Sequence, residues 1–214
     1  MESASLRDRL VRDGVELLEE EGLAALTLRA ITRRTGVSHG APRRYFPTHN
    51  ALLAAIAATG LADLAGRLAP IAGEASLATP IAGGTPLADD SPLTDDTPVA
   101  GGTDPEGRLV RLGVAYLAFA AERPAMFELI FRHDLLAGAG GNLRQTSLPL
   151  FDTVTTLIQQ ARPDATDARE RALALWTNLH GLATLRTTDA LDILNLPDND
   201  LTPWITRIVR VHVS

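Results

Sequence analysis

The stretch from Thr27 to Phe46 constrains this 214-residue chain most, because it carries start and stop signals for two short helices. It reads TLRAITRRTGVSHGAPRRYF. Thr27 is a favourable N-cap, Gly36 can adopt the left-handed conformation that ends a helix, and Ser38 can cap a second helix. Two helices that meet across so short a turn form a helix-turn-helix, and we expect the second of them to end at Tyr45.

The same stretch is strongly basic within an acidic chain. Its five arginines are Arg29, Arg33, Arg34, Arg43 and Arg44. No Asp or Glu occurs between residues 22 and 62, so this region carries a formal charge of +5, whereas the whole chain carries −6. Charge asymmetry of this kind predicts a polyanion as ligand, and a helix-turn-helix predicts that the polyanion is DNA.

Three consecutive motifs carry a family resemblance. They are LVRDGVELLEEEG at Leu10–Gly22, TLRAITRRTGVSHGA from Thr27, and RYFPTHNALLAAI from Arg44. Together they resemble the N-terminal domain of the TetR (tetracycline repressor) family of bacterial transcriptional regulators. The resemblance implies an all-α protein with a three-helix helix-turn-helix DNA-binding domain over residues 1–50. A helical ligand-binding and dimerisation domain over residues 51–214 would follow.

The resemblance also implies roles for individual residues of the recognition helix. Base contacts belong to its first turn, at His39, Gly40 and Ala41, and phosphate contacts to its second, at Arg43 and Tyr45. The full set of residues expected to contact DNA is Thr27, Arg29, Ser38, His39, Gly40, Ala41, Arg43, Arg44, Tyr45 and His49. For Arg33 and Arg34, a solvated helix face and a phosphate contact are equally consistent with the sequence.

The recognition helix departs from the family pattern. Pro42-Arg43 replaces a usual leucine–tyrosine pair, Tyr45 stands where histidine is common, and His49 replaces a frequent lysine. Because proline removes a backbone hydrogen bond, Pro42 leaves the register of this helix open. The additional arginine should strengthen phosphate binding and its dependence on salt.

Helical periodicity extends over most of the remaining chain, and a hydrophobic fraction of 45% with only 4% aromatics favours packed helices. A first helix should run from Ser5 to Glu21. A long helix capped by Thr48 should reach about Ala69 and end at Pro70. The further helices are expected at 105–122, from Pro124, at 143–162, at 168–187 with Asp164 or Thr166 as its cap, and from about Thr202.

An internal repeat interrupts this helical pattern. The segments TPIAGG, TPLADD, SPLTDD and TPVAGG place a proline every six residues, at Pro80, Pro86, Pro92 and Pro98. A hexapeptide period can indicate a parallel β-helix, but four short repeats favour a disordered or extended acidic linker. We interpret it as a Pro/Gly/Asp-rich insertion at about 72–104 and expect it to be dispensable for folding.

The C-terminal part offers candidates for a ligand pocket. The pattern W-x-x-x-H-G at Trp176, His180 and Gly181 resembles a C-terminal domain type of some TetR-like regulators. His180 could contact a ligand or be a hydrogen-bonded core residue, and the sequence leaves both open. The candidate pocket residues are Phe119, Met126, Phe127, Phe131, Phe151, Trp176 and His180.

Taken together, these features predict that the protein is a transcriptional regulator rather than an enzyme. The resemblance implies a homodimer on palindromic operator DNA, with its interface on the last two long helices and a small apolar or aromatic effector that releases a repressor. The alternatives are an enzyme or small-molecule binder with an incidental helix-turn-helix, and a non-specific architectural protein.

No cofactor or metal is expected, because cysteine is absent and a His133-Asp134-His180 group is weak evidence for metal. No transmembrane or signal segment is recognised, so we expect a cytoplasmic protein.

Overall fold

The computed structural model describes residues 5–73, 104–139, 143–191 and 200–214, and within these ranges it contains helices and no strand. The expected all-α fold is confirmed. Residues 74–103, the bulk of the predicted insertion, lie outside the described residues. The α-helices are α1 (Leu6–Glu21), α2 (Leu28–Thr35), α3 (His49–Gly73), α4 (Pro105–Glu122), α5 (Pro124–Phe131), α6 (His133–Leu136), α7 (Arg144–Ala161), α8 (Ala168–Thr187) and α9 (Thr202–Val213).

The N-terminal part, residues 5–48, is called the head. Its core forms where the apolar face of α1 meets α2 and the first half of α3. Leu10, Leu18 and Ile31 have no exposed surface, and Phe46 is only 5% exposed. The first helix is therefore amphipathic, with its apolar face buried in the core of the head.

Helix α3 connects the head to the rest of the protein, which is called the body (α4–α9). It has the length and hydropathy of a membrane span, but half of its most apolar window is buried inside the protein, as in a core helix. The predicted end at Pro70 is wrong, because α3 continues to Gly73. Pro70 is exposed and costs one hydrogen bond, while the last turn gains a cap from the body.

That cap is the guanidinium of Arg108, which is only 2% exposed. Its Nε donates to the Ile71 carbonyl at 3.0 Å, and its Nη2 donates to the Ala72 carbonyl. A cation at a helix C-terminus interacts favourably with the unpaired carbonyls and with the helix dipole. Arg108 thereby fastens the end of α3 to α4.

Replacing Arg108 by methionine should lower the free energy of unfolding by about 1–2 kcal/mol, since methionine fills most of the space but leaves both carbonyls unpaired. Urea denaturation of the full chain measures the loss. The control is Arg210→Met, because Arg210 pairs with Glu106 at 2.9 Å but is 69% exposed, and exposed pairs contribute little. Equal losses in both variants would contradict the capping role.

Helix α4 is the centre of the body and packs against α3, α7, α8 and α9. Helical spacing places Leu109, Leu112, Tyr116 and Phe119 on one face of α4, and all four are buried. A side chain at Gly113 would press on Ile205 of α9, with its Cβ 2.7 Å from the Ile205 Cγ2. The glycine therefore allows α4 and α9 to approach closely.

Helix α8 has the predicted bounds, but its predicted caps are wrong. The N-cap is Asp167 rather than Asp164 or Thr166, and its side chain makes no capping hydrogen bond. The Asp167 carboxylate instead accepts from the Arg171 Nε at 2.9 Å, one turn along the helix. An i, i+4 ion pair has replaced the side-chain cap.

Candidate functional site

The first helix of the helix-turn-helix, α2, is bounded as its sequence predicts. The Thr27 hydroxyl accepts from the Ala30 N–H at 3.2 Å. Gly36 ends the helix with φ +71°, and the Val37 N–H donates to the Thr32 carbonyl at 3.1 Å. A left-handed residue with this hydrogen-bond pattern closes the helix and redirects the chain into the turn.

The second helix differs from its prediction. In place of a helix from Ser38 to Tyr45, the chain forms a turn followed by a short 3₁₀ helix, Ala41–Arg44. In the predicted helix, residue 42 would donate to the Ser38 carbonyl, and proline has no N–H for that bond. The Ala41 N–H instead donates to the Ser38 carbonyl at 3.0 Å, which tightens the turn. We call residues 38–45 the recognition segment.

The recognition segment presents its polar groups to solvent. Pro42 is buried and Ala41 is half-buried, and both hold the segment to the head. The guanidinium groups of Arg43 and Arg44 make no ion pair with any described residue, so they are available to phosphates. The exposed members are Ser38, His39, Gly40, Arg43, Arg44 and Tyr45.

The arginines of α2 divide into two kinds. Arg29 and Arg33 are exposed. Arg34, in contrast, forms ion pairs with Glu20 at 2.6 Å and Glu16 at 3.2 Å, both on α1. The hydrogen bond from Arg34 holds the pKa of Glu20 below its ordinary value. Arg34 therefore fastens α2 to α1 and contributes little free charge toward DNA.

His49 lies at the border of the head. It is half-buried, and its Nε2 lies 3.0 Å from the Leu26 carbonyl oxygen, in the turn that precedes α2. This hydrogen bond gives His49 a structural role, and its expected DNA contact stays a prediction.

A cavity of about 910 Å³ lies in the body between α3, α4, α7 and α8, with residues of α5 and α6 at one side. Its size falls within the range of about 300–1,000 Å³ typical of small-molecule sites. Twelve of the 26 described residues that line it are leucines, and a few polar side chains interrupt the apolar wall. These polar residues are Tyr116, His133, Arg144, Ser147 and Thr153.

Of the seven residues predicted for a pocket, three line the cavity and four lie outside its lining. Phe131, Phe151 and Trp176 line the cavity. Phe119 is fully buried beneath the guanidinium groups of Arg67 and Arg123, which lie 5.3 and 5.9 Å from its ring centre. Its inner-face position therefore serves core packing.

Met126, Phe127 and His180 also lie outside the lining. Met126 is fully buried against α3, where a side chain at Gly60 would overlap it. Phe127 lies behind the wall, with its ring centre 5.6 Å from that of Tyr116. The apolar period predicts that these residues point inward, but it cannot distinguish filled core from open cavity.

His180 is connected to the cavity by a hydrogen bond to Tyr116, which lines it. Tyr116 is not among the residues predicted for the pocket. The Tyr116 hydroxyl lies 2.9 Å from the His180 Nδ1. Burial raises the pKa of Tyr116 and lowers that of His180, which favours both neutral forms. Tyr116 could have been recognised as a polar side chain that helical spacing places on the same face of α4 as Leu109 and Leu112.

Acidification should destabilise the protein through His180. Because its folded pKa lies below the ordinary value of 6.5, the unfolded chain takes up the proton first, and stability is lost as pH falls through that range. His180→Gln should therefore reduce the fall in unfolding free energy between about pH 7 and pH 5.5. Urea denaturation at several pH values measures it. An unchanged pH dependence in this variant would contradict the assignment.

An ion-pair network joins the head to the body, and we call it the junction network. Arg123, between α4 and α5, donates to Glu19 of α1 at 2.9 Å and to Asp63 of α3 at 2.7 Å. Arg67 donates to Asp63 at 3.1 Å and to Glu122 at 2.6 Å. Burial alone would raise the pKa of Asp63, but these arginines hold it below its ordinary value.

The weak metal candidate His133-Asp134-His180 is not assembled. The Asp134 carboxylate accepts two hydrogen bonds from Arg132, both at 2.8 Å. Within the described part of the chain, no three histidine or acidic side chains lie where they could share a metal ion.

Comparisons with known proteins agree with a DNA-binding head and a regulatory body. Residues 10–56 match the family described as Bacterial regulatory proteins, tetR family. Residues 109–211 match the family described as Tetracyclin repressor-like, C-terminal domain. No curated protein matches the sequence.

Solved structures share the fold over nearly the whole chain. A protein of unknown function from Rhodococcus sp. RHA1 is 24% identical with a TM-score of 0.69, covering 99% of this chain and 93% of that one. A TetR-like transcriptional regulator from the same organism is 15% identical with a TM-score of 0.64, covering 98% and 97%. BioQ, solved with its double-stranded DNA operator, is 13% identical with a TM-score of 0.59, covering 98% of each chain.

Both parts of the chain therefore match the same family, and the helix-turn-helix and helical body stand in the order that family requires. The chain belongs to the TetR (tetracycline repressor) family of bacterial DNA-binding transcriptional regulators.

Proposed function

We propose that this regulator is a sequence-specific repressor that works as a cytoplasmic homodimer and leaves its operator when a small, largely apolar or aromatic effector fills the cavity. The observation that carries this proposal is that α3 belongs to both sites. His49, its first residue, bonds to the turn before α2. Leu61, Leu64 and Leu68, in its second half, line the cavity.

The mechanism is a shift between two orientations of the head. An effector that fits the cavity better in one orientation of α3 stabilises that orientation, and the head moves with the helix. If the favoured orientation does not fit the operator, effector and DNA weaken each other's binding by the same factor.

A second copy of the chain would supply a second recognition segment and would cover exposed apolar residues of the body. One recognition segment reads few base pairs, whereas two that lie about 34–36 Å apart read the half-sites of a palindrome. The outer faces of α8 and α9 suit a partner, because Leu185, Trp204 and Val211 are each 46% or more exposed. A side chain at Gly181 would meet no atom within 4 Å, which leaves room for close approach of a partner helix.

On the operator, we assign base contacts to His39, Gly40 and Ala41 and phosphate contacts to Arg43, Arg44 and Tyr45. The exposed guanidinium groups provide the charge, and the turn brings the backbone of Gly40 to the surface. Because Pro42 shortens the helical part, few side chains can reach base edges, and shape and phosphate contacts should carry a large share of affinity.

Selection of bound sequences from randomised duplex DNA, with the purified protein at near-physiological salt, tests this proposal. We expect a palindromic consensus whose half-sites lie about one helical turn apart. If unrelated competitor DNA displaced the selected DNA and no consensus emerged, the protein would instead be a non-specific, architectural DNA binder.

A further inference from the structure

The ionisable residues of the cavity differ from those of the chain as a whole. The chain contains 26 acidic and 20 basic residues. Yet none of the described residues that line the cavity is Asp or Glu, whereas Arg144 and His133 both line it. Apart from the phenol of Tyr116, the ionisable groups among the described residues that line this cavity are therefore basic, although the chain as a whole is acidic.

These two basic groups have no partner among the described residues. The carboxylate next to His133, Asp134, is already bound to Arg132 through both oxygens. Asp152, on the same helix as Arg144, pairs with Arg169 at 3.4 Å. Since the neighbouring carboxylates are paired elsewhere, a ligand can take the hydrogen bonds of Arg144 and His133.

Apolar and basic residues occupy different depths of the cavity. Leu64, Leu109 and Leu175 are at most 3% exposed and form its inner wall. Arg144 and His133, at the starts of α7 and α6, are exposed and therefore stand where the cavity meets solvent. The cavity consequently has an apolar interior and a cationic mouth.

We propose that the effector is an amphipathic carboxylate, with its apolar body against the leucines and its carboxylate bound by Arg144, assisted by His133. This inference rests on the proposed function and names the class of effector for the same cavity. A planar guanidinium matches a carboxylate through two parallel hydrogen bonds. One permanent cation at the mouth balances one negative charge, which favours a monocarboxylate over a more highly charged ligand.

Three probes of equal chain length separate charge from hydrophobicity: decanoate, decanol and decylammonium. Binding is followed by fluorescence of Trp176, which lines the cavity, in a Trp204→Phe background that removes the other tryptophan. We expect decanoate to bind about tenfold more tightly than either of the others, the effect of one charge-assisted hydrogen bond at an exposed site.

The variant Arg144→Gln should weaken decanoate binding by about tenfold and leave decanol binding unchanged. Arg33→Gln, which removes the same charge from an exposed position in the head, should affect none of the three probes. Equal binding of decanol and decanoate would overturn the carboxylate assignment while leaving the cavity as the effector site. Failure of all three probes to bind would also overturn the carboxylate assignment. The proposed function would still be tested separately by the selection of bound DNA sequences.

Discussion

Replacing both Arg43 and Arg44 by alanine should weaken operator binding by about thirtyfold at physiological salt. Each arginine that neutralises a phosphate releases a counterion, so the slope of log K against log salt should fall in magnitude by about 1 per lost contact, or about 2 for the pair. Both guanidinium groups are exposed and unpaired within the described residues, which makes them the strongest phosphate candidates of the head. Fluorescence anisotropy with labelled operator over a range of salt concentrations measures both quantities.

Arg34→Ala is the matched control for this experiment. It removes the same side chain from the same head, but Arg34 is already paired with Glu16 and Glu20. Its loss should change the salt slope far less than the loss of Arg43 and Arg44. If the double variant kept the original slope, or if Arg34→Ala lowered it equally, the assignment of phosphate contacts would be wrong.

The variant Arg123→Gln should separate effector binding from operator release. Arg123 bonds at once to Glu19 in the head and to Asp63 in α3, next to α5, whose Ile130 and Phe131 line the cavity. Removing these bonds leaves the cavity lining intact but loosens the link between head and body. Coupling energies between sites are typically about 1–3 kcal/mol, so we expect a compound that releases the operator to become about tenfold less effective. Its affinity for the protein without DNA should change little.

Arg67→Gln serves as the comparison, because Arg67 belongs to the junction network but contacts α3 and α4 rather than the head. It should reduce release less than Arg123→Gln does. Operator binding and effector binding are measured separately for each variant by anisotropy and calorimetry. Full release in Arg123→Gln, with unchanged potency of the compound, would contradict the coupling role.

The elements that could be predicted from the sequence are those fixed by local signals. Thr27 and Gly36 bound α2 as expected because capping depends on neighbouring backbone groups. The expected bounds of α8 are also confirmed, although its N-cap is Asp167. The end of α3 could not be found in this way, since Arg108, far along the chain, stabilises the turn beyond Pro70.

In the two candidate sites, too, local sequence signals predict some features, and packing decides the others. The basic recognition segment could be located from its capping signals and its charge, but the sequence leaves its register open, and a 3₁₀ helix forms at Ala41–Arg44, where Pro42 has no N–H to donate to Ser38. In the body, aromatic residues at helical spacing predict burial, but Phe119 is fully buried whereas Phe131 is 37% exposed. The guanidinium groups of Arg67 and Arg123 cover the Phe119 ring, whereas Phe131 borders the cavity, and this difference depends on contacts far apart in the chain.

The proposed movement of the head with α3 should change the distance between the two heads of the proposed dimer. Because the chain has no cysteine, Ala24→Cys introduces a single exposed thiol in the head, and spin labels on the two copies of the proposed dimer report one distance. We predict that operator DNA narrows the distribution of label-to-label distances to a single population. A compound that releases the operator should shift this distribution to a different distance. The same distribution in the free, operator-bound and compound-bound states would contradict the proposal that α3 links the cavity to the head.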